Sequence, residues 1–330
     1  MVNKVLTVFF IATLLISCNN TDEVSPYEDL LTRPPYAALT DSIHHDSKNA
    51  QLYYSRGILL NKNNVPTAAL ADFKKAWELE KREQYAVSVS SLLLSKPDSA
   101  ISFIQTALKD FPKSIALQLN LAQAYKNGGK EDDALNVCEQ LISQQPNQLD
   151  ALEMKAEFLK DKNDIEGSIH TLEKAYSIAP LDEQVAFNLA YTYAQTKNPK
   201  ILVLCDSLIS RNSKKPEPYY FKGIYFENTG NDAKAINLFD QAITHDYTFL
   251  DAYMDKGEIF YNQKKYNEAI KIFNLALHVS TTYADAYYWL GKCQEALGQK
   301  EDARLNYQRA YGLDKSFTDA KEAADRLSGR

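Results

Sequence analysis

The 330-residue sequence has no excess of basic residues and no metal-binding motif. Its 37 Lys and Arg are outnumbered by 43 Asp and Glu, and no local run of basic residues offsets the net charge of −6. Binding to phosphates requires a basic surface, so this composition argues against a nucleic-acid-binding protein. The five histidines are scattered, and the adjacent pair His44 and His45 lacks a third ligand at metal-binding spacing. We therefore predict no metal and no cofactor.

Catalytic signatures are missing as well. The sequence contains no GxSxG, HExxH or P-loop pattern. Glu153 and Glu157 have the i, i+4 spacing of some acid/base pairs, but on a helix without an enclosed pocket this spacing is more typical of a solvated face. We therefore predict that the protein is not an enzyme.

One apolar run lies near the N-terminus. MVNK carries a positive charge and is followed by the twelve-residue run VLTVFFIATLLI and then by Ser17 and Cys18. This order is typical of a secretory signal. The run is too short to span a bilayer as a stable helix, which needs about 20 apolar residues. We predict a signal peptide at residues 1–17 and an exported protein.

Cysteine is rare, with four residues in the chain. Cys138, Cys205 and Cys293 lie inside apolar helical patterns, which predicts small buried side chains. Cys18 could be half of a disulfide, a reactive thiol, a buried side chain or a point of covalent attachment.

The stretch LISC, with Leu15 and Ser17 before Cys18, resembles the lipobox of bacterial lipoproteins. The resemblance implies that the signal is cut before Cys18 and that this cysteine carries acyl chains such as palmitate. Two or more chains anchor a protein stably, so we expect a lipid-anchored protein of the cell envelope, at the outer membrane, on either the periplasmic or the surface side. The alternative is an ordinary signal peptide with a coincidental cysteine. Residues 18–35 are polar and contain proline, which predicts an acylated cysteine followed by a flexible tether.

A repeat fills most of the remaining sequence. Gly223, Gly257 and Gly291 recur at equal intervals of thirty-four positions. The same step relates Ala235, Ala269 and Ala303, the rings Phe239, Phe273 and Tyr307, and then Ala242, Ala276 and Ala310. Ala190, Ala156, Ala122, Ser88 and Gly57 continue the glycine position towards the N-terminus. This period and pattern resemble the tetratricopeptide repeat, which implies an α-solenoid of helix pairs.

The physical pattern agrees with that resemblance. Each unit has two apolar-periodic segments of about a dozen residues joined by a short polar turn, as helix pairs do. The small residue allows the two helices to approach, and we expect the ring to pack into the neighbouring repeat. The sequence thus predicts an all-α fold of about eight helix pairs at residues 50–315. An N-terminal half-repeat helix at 36–49 and a capping helix at 316–330 complete it.

In such a stack the first helices line a concave groove, and their positions not used in packing could hold a partner protein or peptide. The predicted groove residues are Tyr54, Tyr85, Asn120, Glu153, Glu157, Phe187, Asn188, Tyr191, Tyr220, Glu227, Asp255, Glu258 and Tyr288. Acids outnumber bases at these positions, which favours a basic partner. The alternative for the rings, Phe221 and Trp289 especially, is that they fill seams between repeats.

These features predict an envelope lipoprotein that acts as a scaffold or adaptor for another protein. A second hypothesis is glycan capture at the cell surface, as in repeat-bearing lipoproteins of the starch-utilisation type, with rings stacked on sugars. Those proteins carry long insertions between repeats, whereas the repeats of this chain follow one another without insertion.

Overall fold

The computed structural model describes residues 27–329, which contain nineteen helices and no strand. They divide into two compact units at Asn127 and Gly128. The first unit contains α1 (Glu28–Leu31), α2 (Ala37–His45), α3 (Ala50–Lys62), α4 (Pro66–Leu79), α5 (Glu83–Leu93), α6 (Pro97–Asp110) and α7 (Ile115–Asn127). The second contains α8 (Glu131–Gln144), α9 (Leu149–Asp161), α10 (Ile165–Ile178), α11 (Glu183–Gln195), α12 (Lys200–Arg211), α13 (Glu217–Asn228), α14 (Asp232–His245), α15 (Leu250–Asn262), α16 (Tyr266–Val279), α17 (Ala284–Ala296), α18 (Lys300–Leu313) and α19 (Thr318–Leu327).

Paired helices build both units, and the predicted all-α fold is confirmed. In the second unit each odd-numbered helix from α9 to α17 packs against the even-numbered helix that follows it, and α19 packs against α18. We call the two members of a pair the first and the second helix. None of the described helices has the length and apolar character needed to cross a membrane.

The N-terminal predictions fall partly outside the described residues. The signal peptide at 1–17 and the lipidation site Cys18 lie there, as does part of the tether. The end of the predicted tether is packed, because it contains α1, whose Leu31 is buried. The Leu31 carbonyl accepts a hydrogen bond of 2.8 Å from the Thr40 hydroxyl of α2. The prediction of a flexible segment is therefore wrong for this part.

In the four repeats that have a glycine at the glycine position, the ring of the second helix lies over the glycine of its own repeat. A Cβ atom added to Gly257 would lie 2.4 Å from Cε1 of Phe273, and one added to Gly223 would lie 2.4 Å from Cε1 of Phe239. Only glycine therefore lets these rings sit against the first helix. Our expectation that the ring packs into the neighbouring repeat needs correction, although Phe273 also stacks on Trp289 of the next repeat at 5.9 Å.

The turn between the two helices has the same backbone in most repeats. A residue with positive φ, between 55° and 80°, follows the glycine position at the same distance along the chain in seven repeats. These residues are Asn64, Gly129, Asn163, Lys197, Gly230, Lys264 and Gly298. Left-handed residues of this kind end helices and favour glycine or asparagine. The tight turn is therefore kept even where lysine occupies the strained position.

Ion pairs join one repeat to the next in the second unit. The Lys256 ammonium of α15 lies 2.5 Å from an Asp240 carboxylate oxygen of α14, and Lys222 of α13 lies 2.6 Å from Asp206 of α12. The two pairs have the same sequence separation, and each lysine directly precedes the glycine position. The two pairs therefore link each first helix to the preceding second helix in the same register.

Arg56 holds the equivalent position in the first unit. Its Nη1 atom donates to the hydroxyl of Thr40 on the preceding helix α2, at 3.0 Å and with the same sequence separation as the lysine pairs. Its Nε and Nη2 atoms bind the carboxylate of Asp72 at 2.7 and 2.8 Å. Helix α2 thus takes the place of the second helix of a preceding repeat, as a half-repeat should.

Tyrosines close the links between repeats. The hydroxyl of Tyr253 donates to the carbonyl oxygen of Tyr247 at 3.1 Å, and Tyr219 and Tyr287 make the same bond to carbonyls at the same distance back along the chain. This recurring role accounts for part of the high tyrosine content. Cys138, Cys205 and Cys293 are buried and free, as predicted, and burial raises the pKa of each thiol to about 12.

Candidate functional site

The first helices of the second unit present a series of side chains outside the glycine-and-ring contacts of the repeat core. In α15 these positions hold Met254, which is buried in the core, and Asp255, both before Gly257, and then Glu258 and Tyr261 after it. Residues three or four apart share one side of a helix. We call the side chains at these positions in α9, α11, α13, α15 and α17 the first-helix face.

Three carboxyl groups meet at the middle of this face. Glu227 of α13 and Asp255 and Glu258 of α15 are partly buried, and we call them the carboxylate cluster. Burial is the main cause that raises the pKa of Glu227 to about 8, of Glu258 to about 7 and of Asp255 to about 6. The charge of Asp255 adds to this effect at both glutamates. The cluster is therefore short of positive charge in the free protein.

The surroundings of the cluster are mostly acidic. Asp232 raises the pKa of Glu227, Asp251 that of Asp255 and Asp285 that of Glu258. Two neighbours oppose these effects: a hydrogen bond from Tyr220 lowers the pKa of Asp255, and the charge of Lys292 lowers that of Glu258. A cation bound here would relieve repulsion that the protein's own residues leave in place.

Aromatic side chains border the cluster on α11 and α13. Tyr220 packs against Phe249 with ring centroids 5.0 Å apart, and Phe221 contacts the rings of Phe187 and Tyr191 at 5.7 and 6.2 Å. Phe221 is buried and fills a seam, as the alternative prediction held. Tyr191 keeps 38% of its surface exposed. The face therefore combines apolar contacts with carboxylates.

A cavity of about 380 Å³ opens between α9 and α11. Among its lining residues are Glu153, Glu157, Asn188 and Tyr191. The Nδ2 atom of Asn188 donates to a Glu153 carboxylate oxygen at 3.1 Å. Burial raises the pKa of Glu153, and the charges of Asp182 and Asp150 add to the shift. The acidic character of the face thus extends to this end.

A second cavity, of about 510 Å³, lies at the C-terminal end. Tyr261, Tyr288, Lys292, Glu295 and Arg326 line it together with residues of α18 and α19. The Lys292 ammonium lies 3.7 Å from the ring centroid of Trp289. In the described part of the chain, no group of three or more His, Cys, Asp or Glu side chains is placed to hold a metal ion.

Comparison with known proteins bears on this architecture. Models of the tetratricopeptide repeat match residues 92–158, 149–180, 257–298 and 285–312. Tetratricopeptide repeats are thus recognised in residues 92–180 and 257–312. No curated protein matches the sequence.

One solved structure of a tetratricopeptide repeat protein shares the fold of this chain at low sequence identity, and a second structure gives a weaker alignment. A tetratricopeptide repeat protein from Parabacteroides merdae aligns with a TM-score of 0.57 and 19% identity, covering 75% of this chain and 98% of its own. The APC/C hetero-tetramer Cut9–Hcn1 aligns with a TM-score of 0.48 and 17% identity, covering 92% of this chain and 60% of that one. At this level the likeness concerns the fold alone.

The helix pairs place most of the predicted groove residues of the second unit in three groups. Glu153, Glu157, Asn188 and Tyr191 line the first cavity, and Tyr288 borders the second. Glu227, Asp255 and Glu258 form the carboxylate cluster beside Tyr220, while Phe187 packs against Phe221. The residues of the second unit that the repeat pattern selected therefore lie on one series of first helices.

The predicted groove residues of the first unit serve its packing. Tyr85 is fully buried, and its hydroxyl donates to Gln51 at 3.2 Å, so it is not available to a partner. Tyr54 packs against Tyr85 with ring centroids 4.7 Å apart. The Nδ2 atom of Asn120 donates to Ser90 at 2.7 Å. The repeat pattern placed these residues correctly on first helices, but it could not show that their neighbours cover or engage them.

The predicted groove residues do not include Lys292, and Trp289 is named there only as a ring that could fill a seam. Lys292 occupies the position of Glu258 one repeat later, where the groove prediction includes Glu157, Tyr191 and Glu258 but not the lysine. Trp289 stacks on Phe273, so it does fill a seam, and its ring also contacts the ammonium of Lys292. The i, i+3 spacing of Trp289 and Lys292 on one helix was the available signal.

Proposed function

We propose that the protein is a scaffold that binds a segment of another protein, rich in Lys or Arg between apolar residues, on the first-helix face of its second unit. The carboxylate cluster carries this proposal, because partly buried acids beside rings are suited to pair with cations in an apolar setting. Stacked helix pairs of this kind offer an extended surface for protein partners. The rings that sugar stacking would require are mostly packed against one another, so the glycan alternative gains no support here.

The proposal includes an envelope location with a lipid anchor. It rests on the apolar run at 5–16 and the lipobox-like residues Leu15 to Cys18. We expect mass spectrometry of the mature protein to find acyl chains on an N-terminal Cys18, and the Cys18→Ser variant to leave the membrane fraction. An unmodified mature N-terminus at another residue would contradict the anchor and leave the binding face untouched.

The binding proposal can be tested with a peptide array. We expect the full-length chain to bind extended peptides of about a dozen residues that alternate lysine with leucine, and to ignore the same peptides with glutamate in place of lysine. The double substitution Asp255→Asn and Glu258→Gln should weaken binding at least tenfold, which corresponds to about 1.4 kcal/mol. Fluorescence anisotropy at fixed ionic strength measures the change.

The matched control is Glu268→Gln, which removes one charge from an exposed position of the second helix α16. This variant should bind as the wild type does. Equal losses of affinity in the control and the cluster variant would mean that net charge alone causes the effect. Equal binding of lysine and glutamate peptides would refute the proposal.

The same peptides should bind more weakly as the pH falls. The pKa values of about 8, 7 and 6 at Glu227, Glu258 and Asp255 mean that these groups take up protons between pH 8 and pH 6. Neutral carboxyl groups attract lysine less, so the affinity should decrease by at most tenfold per pH unit for each proton coupled to binding. The double variant should show a flatter profile. The free energy of unfolding of the free protein should instead increase as the pH falls, because raised carboxyl pKa values favour the folded state at low pH.

A further inference from the structure

Three aromatic rings surround the ammonium group of Lys292. Its Nζ atom lies 3.7 Å from the ring centroid of Trp289, 5.0 Å from that of Tyr261 and 5.6 Å from that of Tyr288. The ring planes of Tyr261 and Trp289 meet at 71°, and those of Tyr288 and Trp289 at 70°. The rings therefore form walls rather than a stack, and we call them the Lys292 cage.

The rings hold this ammonium without an ion pair. Across the described part of the chain, no carboxylate oxygen forms a salt bridge with the Lys292 Nζ atom. Ring faces attract cations, most strongly at tryptophan and when the site is partly desolvated. Lys292 is partly buried. The cage therefore accepts an alkylammonium group such as the end of a lysine side chain.

The cage opens onto space that an incoming side chain could use. Tyr261, Tyr288 and Lys292 also line the cavity of about 510 Å³ at the C-terminal end. The exposed carboxylates of Asp319 and Glu322 border the same cavity. Glu295 and Arg326 also line the cavity and pair with each other. With Asp319 and Glu322 the acids at this opening outnumber the bases, and there is room for a cation beside Lys292.

We infer that the cage is the seat for a lysine side chain of the partner segment, and that the protein's own Lys292 occupies it until that lysine displaces it. The inference rests on the proposed function and names one of its subsites. The displaced Lys292 ammonium can move towards Glu258, which holds the same position one repeat earlier. The charge of Lys292 already lowers the pKa of Glu258. The exchange keeps one ammonium in the cage, so Lys292 competes with the partner and lowers its affinity.

The test uses the full-length chain with Trp77→Phe, which leaves Trp289 as the single tryptophan. The probe is Nα-acetyl-lysine methylamide, and its norleucine counterpart is the neutral control. In a variant that also contains Lys292→Ala, the lysine probe should cause a saturable change in Trp289 fluorescence. The norleucine compound should cause none. With Lys292 present, half-saturation should require at least tenfold more probe. Tyr261→Leu in the Lys292→Ala background should abolish the response.

Two outcomes would overturn the inference: no saturable response after Lys292→Ala, or the same half-saturation with and without Lys292. Circular dichroism checks that each variant is folded. A second measurement keeps Lys292 in place and labels the lysines by ¹³C-dimethylation. The ring of Trp289 should shift the NMR signal of the Lys292 methyl groups upfield. Adding the lysine probe should reverse this shift. A Lys292 signal at the position of exposed lysines would also overturn it. The probe is a single amino acid and tests the cage alone. Peptide binding at the carboxylate cluster is measured separately, so one proposal can fail while the other holds.

Discussion

Replacing Arg56 with methionine should destabilise the first unit by about 3–5 kcal/mol, the usual loss when one partner of a buried ion pair is removed. Arg56 and Asp72 are 7% and 6% exposed, and the guanidinium binds both carboxylate oxygens. Burial raises the pKa of Asp72, and only the hydrogen bond and charge of Arg56 oppose this shift. The variant leaves a buried carboxylate with its main partner gone. Thermal unfolding and amide hydrogen exchange in α2 to α4 measure the effect.

The pH dependence and a surface control make this result specific. A carboxyl group whose pKa is raised in the folded state destabilises the fold as the pH rises, so the loss in Arg56→Met should be larger at pH 8 than at pH 5. The double variant Arg56→Met, Asp72→Leu should recover much of the stability. Arg33→Met removes an ion pair whose side chains are 67% and 82% exposed, and should change stability by less than about 1 kcal/mol. A similar loss at Arg33 would contradict the explanation.

Gly257→Ala should destabilise the second unit by about 1–3 kcal/mol, although alanine is the better helix former. The added Cβ atom would lie 2.4 Å from Phe273, whose ring is fully buried and stacked on Trp289. A fully buried ring can move only if its neighbours move, so the contact between the two helices of the pair should loosen. Chemical unfolding monitored by circular dichroism measures the change.

Gly312→Ala is the matched control. Gly312 lies in the last turn of α18, and apart from its chain neighbours and its own helix backbone no atom lies within 4 Å of the place its Cβ would take. This substitution should stabilise the protein by up to about 1 kcal/mol through helix propensity. Opposite signs at the two glycines would establish the ring contact as the cause, whereas two stabilising changes would contradict it.

The repeat pattern predicted the parts of the fold that recur. Gly257 and Phe273 could be assigned to the two helices of one pair, because the same residue types return at the same positions in successive repeats. The Arg56 pair could not be predicted, since its acid Asp72 has no counterpart in other repeats. The division at Asn127 was hidden as well, because the step from Ala122 to Ala156 keeps the ordinary repeat period.

The candidate site was predictable by position but not by environment. The repeat pattern selected Glu227, Asp255 and Glu258 because acids stand at surface positions of first helices. Their raised pKa values depend on how far neighbouring side chains bury them, which the spacing does not encode. Lys292 was missed for the same reason, because its surroundings come from rings on two different helices.

The ring that lies over a glycine comes from the next helix along the chain. The ion pairs Lys222–Asp206 and Lys256–Asp240 have the same short sequence separation. Such short separations require little chain closure before favourable contacts form. Folding can therefore begin at any helix pair and spread to its neighbours. During synthesis, each pair can close soon after its second helix has emerged, without waiting for the rest of the chain.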